Sequence, residues 1–318
     1  MVIFDTYFNL SLSKISLKAL PKKLITKTFV IFKILIHSIL SRYGFSGAKL
    51  VGKTDYGNSF LKLNKNCALG YKGSTIELRR DQTIYKYIKL YGYWEIDEAN
   101  FLAKFLKKLC ENKDFKVAFL DIGANTGLVT LQTMNIANTD NSVFLFEPIP
   151  RHVSAIKHNL KGFSNININN FALSNKNGRS KIYTQINNHG NTSLIQSLVP
   201  SNRRITTSIK LVDTKHYFHK NLKEFDKYVV KSDTQGTDAL ILSRIPKRVW
   251  QNTECAVIEV AALPEIDKID VDNLLLMFSS FEIISWHPNL KQKTSLKEIR
   301  EFWLSKSGSQ RNLFLSRI

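Results

Sequence analysis

Cysteine is scarce in this chain. Its 318 residues hold three, Cys67, Cys110 and Cys255, scattered, odd in number and never at metal-ligand spacing. That excludes a disulfide framework and points to a reducing, intracellular setting. An unbroken apolar run of the roughly 20 residues needed to cross a bilayer is also missing. Residues 24–40 come nearest, but Lys27, Lys33 and His37 interrupt them. The same lysines, with no small-residue cleavage site after them, argue against a signal peptide. Arginine-rich runs with interleaved aromatics, zinc-finger spacings, internal repeats and low-complexity linkers are all absent. The seven histidines form no recognisable metal constellation, so no metal is expected.

What the chain has is apolar content of 43% and a formal net charge of +20. The first predicts a packed core and excludes wholesale disorder. The second is read either as a well-solvated basic surface or as attraction to an anionic partner: a membrane surface, a polyanionic glycan or, weakest of the three, nucleic acid. Near the start, Lys22, Lys23, Lys27 and Lys33 accompany Phe29, Ile31, Phe32, Leu35 and Ile36. That pattern suits a basic amphipathic helix on an anionic membrane. It equally suits a helix whose apolar side packs on the main domain or a partner subunit.

Periodicity divides the rest. Residues 1–80 read as a basic N-terminal extension: a helix to about residue 45, then a small β element with short runs at 60–63 and 75–78. Residues 81–318 read as one domain. Phe101, Leu102, Phe105, Leu106 and Leu109 recur at helical spacing within 96–110. From residue 116 the pattern alternates. Strands are expected at 117–122, 143–147, 166–170, 228–232, 256–260, 281–286 and 312–316. Helices are expected at 126–137, 150–160, 237–244 and 271–278. The fold class is therefore α/β, a Rossmann-like, doubly wound, mostly parallel sheet. The last two strands lack a crossover helix between them and suggest an antiparallel edge.

Chemistry concentrates at Phe119-Leu-Asp-Ile-Gly-Ala-Asn-Thr-Gly127 and Val143-Phe-Leu-Phe-Glu147-Pro148. Ligands of open α/β sheets bind beyond the carboxyl ends of the strands, where strand order reverses. The first strand delivers Asp121 to that edge. Gly123 and Gly127 allow a sharp turn and close approach to a ligand, and Asn125 tolerates unusual backbone angles. Glu147, 20 residues after Gly127, ends the next strand, where a carboxylate accepts hydrogen bonds from ribose hydroxyls. A dinucleotide fingerprint, G-x-G-x-x-G, holds a pyrophosphate at a helix N-terminus. Here the turn opens on an acid, which repels a pyrophosphate but suits the cationic sulfonium of S-adenosyl-L-methionine (SAM).

The chain resembles the FkbM family of SAM-dependent methyltransferases. The matching pieces are Leu120-Asp-Ile-Gly-Ala-Asn-Thr-Gly127, Phe146-Glu-Pro-Ile-Pro150, Ala172-Leu-Ser174 with Gly178, Lys231-Ser-Asp-Thr-Gln-Gly236 and Val257-Ile-Glu259. A leader, Gly92-Tyr-Trp-Glu95, also matches, and the likeness covers roughly residues 80–318. Ser232, and Asp238 where glutamate is usual, are mild departures. The resemblance implies a class I methyltransferase fold and methyl transfer, mostly to hydroxyl oxygens of sugars, glycolipids or secondary metabolites. It implies that Asp121, Gly123, Ala124, Asn125 and Gly127 hold the methionine half of SAM. Glu147 and Pro148 then hold the ribose, with Phe171 and Ala172 near the adenine.

An alcohol acceptor must lose its proton as the new bond forms. Asp233 is the expected base or acceptor-positioning group, with Lys231 pairing it or lowering the energy of an alkoxide. A purely structural network of Lys231, Asp233 and Asp238 is the alternative. His189, in the polar run 187–193, is expected on a loop over the site, as a base or as a solvated residue. Two other functions stay open: a non-catalytic SAM-fold scaffold in glycan assembly, and methylation of nucleic acid. The acceptor is expected to be a hydroxylated small molecule or glycan, and the location cytoplasmic or peripheral at the inner membrane surface. If residues 1–45 lie on membranes, vesicles containing anionic lipid will sediment with the full chain and release it at high salt. Equal sedimentation of a chain lacking residues 1–45 would exclude that role.

Overall fold

In the computed structural model of the protein, the described residues are 48–53, 58–63, 75–79, 83–186 and 188–317. The basic helix expected over 1–45 lies outside them. Strands β1 (Ala48–Lys53), β2 (Asn58–Leu63) and β3 (Thr75–Arg79) pair antiparallel in sequence order. Two helices follow, α1 (Ile84–Tyr91) and α2 (Ile96–Cys110). Asp97 and Glu98 occupy the first turn of α2, and Lys107 and Lys108 its last, each sign where the helix dipole favours it.

The alternating part then runs β4 (Val117–Ile122), α3 (Leu128–Ala137), β5 (Ser142–Phe146), α4 (Pro150–Asn159) and β6 (Ile166–Asn169). A separate group of strands comes next: β7 (Ala172–Ser174), β8 (Gly178–Gln185), β9 (Asn188–Ser193) and β10 (Arg204–Asp213). The chain returns through α5 (Thr214–Asn221), β11 (Lys227–Ser232), α6 (Asp238–Leu242), α7 (Lys247–Gln251) and β12 (Thr253–Ala261). It ends with α8 (Lys268–Phe278), β13 (Ile283–Ser285), α9 (Leu296–Trp303) and β14 (Gln310–Ser316).

Seven strands form the central sheet in the order β13-β14-β12-β11-β4-β5-β6. All pairings from β12 to β6 are parallel, and β14 runs antiparallel to both its neighbours. From β4 the chain moves outward through β5 and β6, then returns to β11 on the other side of β4. The strand order therefore reverses between β4 and β11, which puts the crevice at their carboxyl ends. This is the expected doubly wound α/β fold, with helices on both faces. Period-two alternation sorts the strand residues. Val117 and Phe119 join one core with α2 and α3, while Ala118, Leu120 and Ile122 join the other with α6 to α9.

Three parts differ from the sequence expectation. The run 187–193, expected as a polar loop, contributes strand β9, which pairs with β8 and buries His189 and Ser193 despite its polarity. Strands β7 to β10 form a four-stranded sheet ordered β7-β10-β8-β9. Between the two closing strands stands α9, opened by a capping box in which Ser295 and Glu298 satisfy each other's backbone amides.

Asn159 ties the N-terminal strands to this frame. Its amide donates to the carbonyls of Glu77 on β3 (2.9 Å) and Thr126 (2.8 Å), and its oxygen accepts from the Glu77 N–H. Replacing it with leucine strands those buried groups. Asn159→Leu should cost about 1–3 kcal/mol in urea unfolding and speed hydrogen exchange at the Glu77 amide.

Candidate active site

Strand register builds the centre of the site. Asp121 on β4 stands directly beside Lys231 on β11. Both share the parity of Phe119 and Val229, so both point to the face covered by α2 and α3. Glu259 on β12 has the parity of Val257 and joins the same face. The Lys231 ammonium lies 3.2 Å from Asp121 Oδ1 and donates to the Gly123 carbonyl at 3.0 Å. Thr130 on α3 donates to Asp121 Oδ2 at 2.5 Å. Asp121 is fully buried and Lys231 is 6% exposed.

The turn after β4 is closed by its own protein contacts. The amides of Gly123 and Ala124 both donate to the Phe146 carbonyl, and that of Gly127 to the Ala124 carbonyl. Glu147 Oε2 accepts from the Asn125 N–H at 2.9 Å, while Oε1 accepts from the Ile149 N–H at 2.9 Å and lies 3.3 Å from His152 Nδ1. Gly123 has φ +79°, and a Cβ there would stand 1.9 Å from the Asp233 carbonyl oxygen. Its bare Cα is thus needed for contact with the loop after β11. Sequence reasoning assigned that closeness to a ligand.

Around this centre lies a cavity of about 480 Å³, within the roughly 300–1,000 Å³ range of small-molecule sites. Among the described residues, Glu95, Glu147, Asp233 and Glu259 line it, with Lys231 as the one lysine and no arginine. Pro148, Ala172 and Leu173 give it an apolar wall. Gln235 divides its amide between Asp233 Oδ1 at 2.7 Å and the Glu259 oxygens at 3.0 and 3.1 Å.

These charges shape one another. For Lys231, burial opposes the charged form, but Asp121, Asp233 and Glu95 outweigh it and hold the ammonium above its ordinary pKa. Burial lifts the Glu95 carboxyl, Asp233 adds to the rise and Lys231 opposes it. Burial, reinforced by Asp233 and Asp238, raises Glu259 well above the usual carboxylate range. Asp238 is pushed up to about 6 by burial, against the hydrogen bond it accepts from Ser232.

The sequence candidates divide accordingly. Gly123, Ala124, Asn125, Glu147, Pro148, Ala172, Lys231 and Asp233 line the cavity. Asp121, Gly127, Phe171 and His189 are not among the lining residues. Asp121 reaches the cavity only through Lys231 and the turn. Gly127 faces Ile156, where a Cβ would sit 3.3 Å from its side chain. Phe171 packs edge-on to Tyr217 at 5.4 Å and tilted to Phe146 at 6.0 Å. His189 is 2% exposed, with Nδ1 3.2 Å from Arg151. Its backbone carbonyl accepts from the Asn125 side chain at 3.4 Å.

Sequence reasoning gave no role to Glu95 and did not single out Gln310, which donates to Gln235 Oε1 at 3.3 Å. The motif Gly92-Tyr-Trp-Glu95 flagged the first, but only the packing of α2 carries it to the cavity. Nothing local marks Gln310. Among the described residues no group of three or more His, Cys, Asp or Glu is arranged to hold a metal ion, and no helix is long and apolar enough to cross a membrane.

No family model matches the chain, and no curated protein matches it. Solved structures to which it is similar include methyltransferases. Fibrillarin from Aeropyrum pernix, with natively bound SAM, aligns at 12% identity over 84% of this chain and 99% of that one, with a TM-score of 0.34. A SAM-dependent methyltransferase from Agrobacterium tumefaciens aligns at 7% identity over 84% of this chain and 69% of that one, TM-score 0.35. Methyltransferase FkbM from Methylobacillus flagellatus aligns at 13% identity over 74% of this chain and 56% of that one, TM-score 0.38. These values carry no residue roles across.

Breaking the central ion pair from one side leaves a buried charge alone. Lys231→Met should therefore lower stability by about 3–5 kcal/mol. The double change Asp121→Asn with Lys231→Met should recover most of that loss in urea titrations.

Proposed function

We propose that the chain is a SAM-dependent methyltransferase acting on a hydroxyl of a sugar, glycolipid or secondary metabolite. The observation that carries the reading is charge contrast. Among the described residues, the cavity of this protein of formal charge +20 is lined by four acidic side chains and one lysine, which is itself paired to Asp121. A phosphorylated cofactor finds little welcome there. The amides of Gly123, Ala124, Asn125 and Gly127 are already donated to protein acceptors, which leaves fewer backbone donors for a pyrophosphate. A ligand bearing an ammonium and a sulfonium meets complementary charge instead.

The residues present fit SAM. Glu147 keeps unused acceptor capacity on Oε2, since each carboxylate oxygen offers two lone pairs and Asn125 takes one. That remaining acceptor suits a ribose hydroxyl. Pro148, Ala172 and Leu173 supply apolar surface for an adenine. Asn125, fixed through the His189 carbonyl, and the acidic end of the cavity suit the methionine portion. Asp121 acts as a positioning residue through Lys231 and the turn.

When bound, SAM supplies a methyl group already activated by its sulfonium. The protein's task is alignment of the acceptor and handling of its proton. Lys231 would steady negative charge developing on the acceptor oxygen, and Asp233 would orient the hydroxyl. The hydroxyl acceptor itself rests on the motif resemblance. Isothermal titration should detect SAM binding to the wild type. Glu147→Ala should weaken it at least tenfold, about 1.4 kcal/mol, with unchanged circular dichroism. Undiminished binding in that variant, or preference for NAD over SAM, would refute the site.

A further inference from the structure

We propose that Glu95 is the group that takes the acceptor hydroxyl's proton, an assignment that rests on the methyltransferase reading above. Among the described residues, the other carboxylates at this end of the crevice are already engaged. Asp121 holds Thr130 and Lys231. Glu147 holds the Asn125 and Ile149 amides, and Asp238 holds Ser232 and Thr234. Asp233 and Glu259 share the Gln235 amide. Glu95 lines the cavity, and its carboxylate makes no hydrogen bond or ion pair among the described residues.

The backbone is arranged to hold it there. Glu95 is the N-cap of α2 with φ 47° and ψ 51°, a left-handed conformation costing a non-glycine residue of order 1 kcal/mol. Its side chain does not cap the helix. Gln132 on α3 grips the preceding residue at both backbone groups, accepting from the Trp94 N–H at 3.1 Å and donating to the Trp94 carbonyl. The conformation therefore directs the carboxylate away from capping and the grip on Trp94 fixes its base. The positive end of α2 also favours the ionised form.

In the transfer, the acceptor oxygen forms its bond to the methyl carbon as the carbon–sulfur bond breaks. The electron pair of that bond stays on sulfur. The hydroxyl proton passes to Glu95 and from there to water. The products are the methyl ether, S-adenosylhomocysteine and one proton.

Asp233, Glu98, Asp121 and Glu259 face Glu95 with negative charge and Lys231 with positive. With burial, they leave its carboxyl holding a proton more firmly than usual. Positive charge brought into the cavity shifts that balance toward the carboxylate. SAM carries the sulfonium and S-adenosylhomocysteine, a neutral thioether, does not. Titration calorimetry at pH 7, repeated in two buffers of different ionisation enthalpy, reads the protons released. Wild type should release more with SAM than with S-adenosylhomocysteine. Glu95→Gln should bind both yet lose that difference, and Glu95→Asp should keep it. With radiolabelled SAM in total cell extract, Glu95→Gln should label the wild-type target about 100-fold more slowly or worse. Equal proton release from both ligands in wild type, an unchanged difference in Glu95→Gln, or equal labelling would overturn the assignment. Absence of SAM binding to the wild type would instead bring down the methyltransferase reading, and this assignment with it.

Discussion

A buried ion pair in the middle of the sheet sets the geometry of everything around it. Asp121 and Lys231 lie on adjacent parallel strands, in register, at the point where strand order reverses. Two charges this deep carry a desolvation cost that their attraction offsets only when their remaining valences are filled. Thr130 fills one on the acid, and the Gly123 carbonyl fills one on the lysine. The turn after β4 is thereby fixed to β11. The same turn is then pressed against the Asp233 carbonyl, which is why Gly123 has no room for a side chain. Electrostatics, backbone packing and the position of Asp233 form one unit.

Glu147 is the second anchor of the turn. It accepts the Asn125 and Ile149 amides, so a single carboxylate links the loop after β4 to the start of α4. This arrangement consumes the backbone donors that a phosphate would otherwise use.

The sheet was legible because its strands are short apolar runs separated by helical segments, a pattern that leaves little choice of architecture. Helix α2 was read with its observed bounds, because Phe101, Leu102, Phe105, Leu106 and Leu109 form one apolar stripe. Motif reading also reached the cavity residues in the turn after β4, Glu147 and Pro148 after β5, and Lys231 on β11. Strand β9 was not legible. Asn188-His-Gly-Asn-Thr-Ser193 has no strand composition and exists as a strand through pairing to β8. His189 was consequently expected on a loop, whereas burial on a strand leaves its backbone carbonyl, and not its ring, as the part directed to Asn125. Phe171 was read beside the cofactor motifs, but its ring belongs to an aromatic group with Phe146 and Tyr217 that only the arrival of α5 completes.

Gln235 shows how the acidic end is held together. Asp233 follows β11 and Glu259 lies on β12, and their closeness, with burial, is what raises the Glu259 carboxyl. The Gln235 amide, with two hydrogens, donates to both and fixes their spacing. Its oxygen is in turn held by Gln310 from the start of β14, and its backbone carbonyl by Ser193 from β9. The residue sits at φ 54°, a conformation glutamine adopts only when its surroundings over-determine it. A glutamate at that position would lack the donors and add a further negative charge. The antiparallel strand at the sheet edge and the accessory strand β9 thus converge on one amide, and through it they set the spacing of the two carboxylates opposite Glu95.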